Sequence, residues 1–141
     1  MRKPSSLDIV TAARACLGTP FAHQGRVIGV GLDCVGVAVH AVRSIGVDVL
    51  DIPGYGRTPN NGRLASAMDA QCGLERVHNI AERRAGDILL LRFFREPQHV
   101  GICTGDGIIH AYQAVDGCCE HPIDEKWAAR IVRVYRVKGL S

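Results

Sequence analysis

The chain has 141 residues, 47% of them hydrophobic and 22% charged, which suits one globular domain over 1–141 with a real core. Its formal charge of +3 is mildly basic, too weak to name a partner. Aromatic residues make up only 5%, with no basic stripe interleaved with them, so nucleic-acid binding has little support.

No apolar run approaches the ~18–20 residues of a membrane span. Met1-Arg2-Lys3-Pro4-Ser5-Ser6 is basic but has no apolar run behind it, so no secretory signal is expected. The expected location is the cytosol, unless a partner carries the protein out. Six cysteines without a signal suggest reduced thiols rather than a disulfide framework. There is no Cys-x-x-Cys, and Cys118, Cys119 and His121 lack the spacing of common zinc sites, so neither metal nor other cofactor is expected.

In chain order, Ser5 and Asp8 make a capping-box-like start, and Leu7, Ile9, Val10, Ala13 and Leu17 recur at helical spacing. The spacing predicts a helix over Ser6 to Leu17, stopped by Gly18 with Pro20 beyond. A glycine-rich loop, Gly25 to Gly31, leads to Leu32-Asp33-Cys34. It is either a flexible surface loop or one wall of a cleft beside Cys34. Asp33 is a good N-cap for an apolar helix over Val35 to Ile45. Cys34 then sits at the helix start, where the dipole and the free N–H groups favour a thiolate and a lowered pKa. At this point a nucleophile and a buried thiol are both open readings.

Ile52 to Gly62 is rich in turn residues, and Asn61 can cap a helix from Gly62 to Gln71. The second half reads as strands: Arg76 to Asn79, Ile88 to Leu91, His99 to Thr104, Ile108 to Tyr112 and Ile131 to Val137. Ile123 to Trp127 reads as a short helical turn. Helices first and an antiparallel sheet after make an α+β arrangement.

With Gly105-Asp106 as a two-residue hairpin loop, Thr104 pairs with Gly107, Gly101 with His110 and His99 with Tyr112. Parity then places His99 and His110 on one face as diagonal neighbours, within about 7–8 Å at Cβ. Two such histidines are either an incidental polar cluster or a base and its orienting partner. If Cys34 meets them, it attacks a carbonyl. His99 takes its proton or holds it as imidazolium, and His110 fixes the ring of His99. That meeting of helix and hairpin is an assumption of the sequence reading.

Five motifs occur in one order: Gly18-Thr19-Pro20-Phe21, Leu32-Asp33-Cys34-Val35-Gly36, Gly86-Asp87-Ile88-Leu89, His99-Val100-Gly101-Ile102 and Ile108-Ile109-His110-Ala111. From about Ser6 to Arg136 the chain resembles the NlpC/P60 cysteine peptidases. The resemblance implies a papain-like α+β fold, with the nucleophile at a helix N-terminus packed on an antiparallel sheet. It also implies cleavage of the stem peptide of bacterial peptidoglycan, typically between D-glutamate and diaminopimelate. The matching positions imply Cys34 as nucleophile, His99 as base and His110 as the third member. His23-Gln24-Gly25-Arg26 and the segment His121 to Trp127 resemble the phage and prophage tail-assembly branch, which implies tail proteins as partners and a virion tail as the site of action.

Two positions depart from the family. Phe21 stands where a tyrosine hydroxyl often serves the thiolate, with His23 or Gln24 as its candidate substitutes. Val35 replaces a frequent serine near the substrate's amino end. Asp33 is an N-cap and a candidate contact for that amino group. An amidase or acyltransferase on the same Cys–His machinery, or a non-enzymatic tail module, are the alternatives.

Overall fold

The computed structural model describes residues 3–51, 63–93 and 97–140. Helix α1 spans Ser6–Arg14, with the Ser5 N–H donating to the Asp8 carboxylate at 2.8 Å. It is shorter than the periodicity predicts. After Arg14 the chain tightens into bonds three residues apart, from Cys16 N–H to the Ala13 carbonyl and from Leu17 N–H to that of Arg14. Gly18, at φ +83, then turns the chain away and donates to the Cys118 carbonyl.

The glycine-rich stretch is a small hairpin, β1 (Arg26–Val27) paired with β2 (Gly31–Leu32), rather than a free loop. Helix α2 spans Cys34–Ser44, with Asp33 as its N-cap and Cys34 at the first helical position as expected, and it ends one residue before Ile45. Gly46, at φ +84, ends it in a Schellman arrangement: its N–H bonds the Arg43 carbonyl, and Val47 N–H bonds that of Val42. Helix α3 spans Arg63–Asp69; the turn-rich segment from Ile52 and the proposed Asn61 cap lie outside the described residues.

Six strands form one antiparallel sheet in the order β3-β8-β4-β5-β6-β7. They are β3 (Leu74–Val77), β4 (Ile88–Arg92), β5 (Pro97–Cys103), β6 (Gly107–Tyr112), β7 (Gly117–Pro122) and β8 (Ile131–Val137). A short helix, α4 (Glu125–Ala128), precedes β8. Strand β3 lies two residues earlier than expected, and β7 was not predicted. The burial alternation of β7 is weak, so pairing with β6 rather than its own pattern makes it a strand.

The apolar run Ile88 to Leu91 is buried throughout because β4 is covered on both faces. Ile88 and Leu90 join Val100, Ile102 and the helices α1 and α2 in the larger core. Leu89 and Leu91 join Cys103, Ile108, Ile131 and Val134 on the opposite face, where Trp127 also packs. The Gly86-Asp87 motif has a structural task. Gly86 adopts φ +92 with Ser6 close by, and buried Asp87 takes a two-pronged ion pair from Arg136 at 2.8–2.9 Å. The described residues contain no helix long and apolar enough to cross a membrane.

Candidate active site

Strands β5 and β6 pair only at Ile102–Ile109 and Cys103–Ile108. The predicted register is kept, but the ladder does not continue to His99. Helix α2 packs against both strands. The N–H groups of Val100 and Val35 lie near enough to the Cys34 thiol to favour its charged form. The partly exposed thiol therefore lies against the residue next to His99, and helix and hairpin meet. A bulge at Gln98 of β5, between the pairs Leu91–His99 and Arg92–Pro97, bends the start of β5 at this point.

His99 and His110 are both buried, and His99 Nε2 lies 2.6 Å from His110 Nδ1. The line continues beyond the pair that parity predicts. His110 Nε2 is 2.8 Å from His121 Nε2, and His121 Nδ1 is 2.8 Å from the Pro122 carbonyl. Aromatic rings enclose this row. Tyr112 stacks on His110 at 5.2 Å, and Trp127 stands edge-on to His110 at 5.2 Å and tilted against His121 at 4.8 Å. Phe93 lies 5.2 Å from His99, and the Arg130 guanidinium covers both Phe93 and Trp127. Trp127 thus closes the histidine row from one side.

The electrostatics differ from the expectation of a lowered thiol pKa. Burial first, and the Asp33 carboxylate second, push the Cys34 thiol up to about 12, against the N–H groups of Val100 and Val35 and the charge of Arg26. The helix start does supply donors, but it is crowded by protein and has a carboxylate beside it. Burial, then Arg130, hold His99 down to about 3. Burial, then the neighbouring histidines, hold His110 down to about 2. The free site therefore holds a neutral thiol and neutral imidazoles. It is suited to proton transfer during attack rather than to a standing ion pair.

Asp33 is buried and engaged on both oxygens. Oδ1 accepts from Gly36 N–H and from Arg26, each at 2.9 Å, and Oδ2 accepts from Gln24 N–H at 2.8 Å. Gln24 is held at φ 59, a left-handed conformation unusual for a side-chain-bearing residue. Leu32 N–H donates to the Pro20 carbonyl and Ala22 N–H to that of Leu32, so Phe21, His23 and Gln24 run beside the residues that lead into Cys34. Phe21 packs with Cys34 on the core. His40, on α2, carries the Ser44 hydroxyl on its carbonyl and has no part in the row.

The sequence reading missed His121 and Arg130. Asp116-Gly117, with Asp116 at φ 54, was a turn signal for the start of β7. Given that strand, parity alone would have put His121 opposite Ile108 on the histidine face. Among the described residues, His110, Cys119 and His121 present ligand atoms within 4.8 Å of one another. A metal held there would replace the His110–His121 hydrogen bond.

The NlpC/P60 family profile matches residues 18–136. Solved structures agree in fold. An NlpC/P60 family protein from Bacillus cereus superposes with a TM-score of 0.72 at 18% identity, covering 98% of this chain and 42% of its own. The peptidoglycan hydrolase RipB from Mycobacterium tuberculosis gives 0.71 at 17% identity, covering 95% and 65%. The NlpC/p60 domain of the peptidoglycan hydrolase SagA gives 0.66 at 22% identity, covering 96% and 99%. This chain spans about two-fifths of the Bacillus cereus protein's length. No curated protein matches it in sequence. The chain belongs to the NlpC/P60 family.

Proposed function

We propose that this NlpC/P60 family member is a cysteine peptidase that hydrolyses stem peptides of bacterial peptidoglycan, at the bond between D-glutamate and diaminopimelate. The observation that carries the reading is the Cys34 thiol near the N–H of Val100, the residue next to a buried His99 that is bonded to His110 at 2.6 Å. Peptidoglycan hydrolases among the structural neighbours supply the substrate class.

In this reading His99 takes the thiol proton as Cys34 sulfur adds to the scissile carbonyl. The acyl-enzyme forms as the amine leaves with that proton, and water then releases the acid. His110 holds the ring of His99. The donors at the start of α2 face the developing oxyanion. Phe21, His23 and Gln24 line the substrate side, and Asp33 holds their segment against the thiol. The resemblance of His23 to Arg26 and of His121 to Trp127 to tail-assembly proteins supports action within a phage or prophage tail.

The test is digestion of purified peptidoglycan with mass spectrometry of the released fragments. Cleavage between D-glutamate and diaminopimelate that disappears in Cys34→Ala is the expected result. Cleavage at the glycan–peptide amide would instead make the protein an amidase. Undiminished activity in Cys34→Ala would remove the sulfur from the mechanism.

A further inference from the structure

The histidine row does not stop at the pair that the proposed reaction uses. A carbonyl oxygen carries no proton, so in the contact at 2.8 Å His121 Nδ1 donates to the Pro122 carbonyl. A neutral imidazole has one N–H, which leaves His121 Nε2 bare. His110 Nε2, 2.8 Å away, must then be the donor of that contact. His110 Nδ1 is bare in turn, so His99 Nε2, 2.6 Å away, donates to it. Three contacts and three protons leave a single solution among neutral rings. It ends with the lone pair of His99 on Nδ1.

The geometry points to His121 as a positioning residue that, through the Pro122 carbonyl and His110, sets the tautomer of His99 and keeps Nδ1 open for the thiol proton. Nothing in this arrangement requires His121 to touch the substrate. If the row lost its anchor, His110 would be able to turn its N–H toward His99. His99 Nε2 would then accept, its proton would sit on Nδ1, and the base would face the thiol already protonated. The packing fits a fixed alignment. Tyr112 stacks on His110 within 14° of parallel, and Trp127 stands edge-on to His110 and tilted against His121, so the middle ring has little freedom to rotate. The low pKa values of His99 and His110 agree with neutral rings at these two positions at neutral pH.

The inference rests on the reading of His99 as the base, and its test separates the two. Nitrogen-15 NMR of the inactive Cys34→Ala protein at neutral pH reports which ring nitrogens carry protons, whether or not the protein cleaves anything. The expected spectrum has bare Nδ1 atoms on His99 and His110 and a bare Nε2 on His121. In Cys34→Ala/His121→Ala the single tautomer of His99 is lost.

In the protein with its thiol intact, cleavage of a soluble stem peptide should show kcat about 10–100-fold lower for His121→Ala, with KM unchanged. His121→Gln, whose amide oxygen can still accept from His110 Nε2–H, should recover most of that loss and the His99 tautomer with it. A proton on Nδ1 of His99 in the Cys34→Ala protein would overturn the inference. So would His121→Ala with unchanged tautomers and kcat. If His121→Ala does not fold, the tautomer in Cys34→Ala and the activity of His121→Gln decide. If wild-type protein cleaves no wall peptide, the proposed function falls, while the spectrum still tests the row.

Discussion

The two faces of the sheet are made of the same strands but do different work. Toward α1 and α2, β4 and β5 present Ile88, Leu90, Val100 and Ile102, all nearly inaccessible. Toward α4, the same strands and β6 present Leu89, Leu91, Cys103 and Ile108 close to the sheet centre, with His99, His110 and His121 beyond them. The first face is aliphatic and holds the fold by area buried. The second gives up part of that area to three polar rings, satisfied by one another and by one carbonyl, and walled by Trp127, Tyr112 and Phe93. A buried polar row survives on the second face because every ring nitrogen between His99 and Pro122 has a partner.

The largest expected effect lies where the histidine-bearing strand meets the start of α2, which carries Cys34. Cys34→Ala and His99→Ala should each lower release of wall peptides by roughly 10⁴-fold or more, with thermal unfolding little changed. A variant keeping activity within tenfold of wild type would erase the functional contrast between the faces.

On the other face, Leu90→Ala should destabilise the protein by about 2–5 kcal/mol in urea unfolding, from lost burial plus the cavity left. Its kcat, corrected for the folded fraction, should stay at the wild-type value. A large fall in kcat would mean the two faces are coupled more tightly than their separate clusters suggest.

Acid should act through the histidine face. His99 is held down from 6.5 to about 3, so between those values the unfolded chain binds a proton that the native protein does not. Unfolding free energy therefore falls as pH falls through that window, by a few kcal/mol at most, since a tenfold difference in proton affinity is worth ~1.4 kcal/mol. His110 adds in the same direction. Melting temperatures at pH 7 and pH 4.5 should differ more in wild type than in a His99→Gln/His110→Gln variant. An equal drop in both would assign the acid sensitivity to other groups.

The smallest effect tests the aromatic wall. Trp127→Ala admits water to His110 and His121, so the depressed pKa values of His99 and His110 should move up toward the ordinary histidine value, by about one pH unit, in an NMR titration. Unmoved values would mean that burial beneath the strands alone, not Trp127, sets them.

Much of this was legible beforehand, and for local reasons. The Asp33 cap, the apolar run of α2 and the Gly46 stop are short-range signals, and the helix runs from Cys34 to Ser44 as they suggest. The turn at Gly105-Asp106 sets the register of β5 and β6, and parity put His99 and His110 on one face. Strand β7 was illegible because its residues acquire strand structure from β6, and His121 was hidden with it. The helix start alone points to a lowered thiol pKa, because its donors are local while the surroundings that oppose them are not. Burial and the neighbouring Asp33 outweigh the local donors.

The capped cysteine, the same-face histidines and the family motifs are written in the chain, since each depends on residues a few positions apart or joined by one tight turn. Three further outcomes came only with packing: Cys34 meets the strand carrying His99, the pair rests as neutral groups, and the row runs on through His121 to Pro122. They depend on desolvation and on contacts between segments distant in the chain, and neither quantity exists until the sheet and helices have come together.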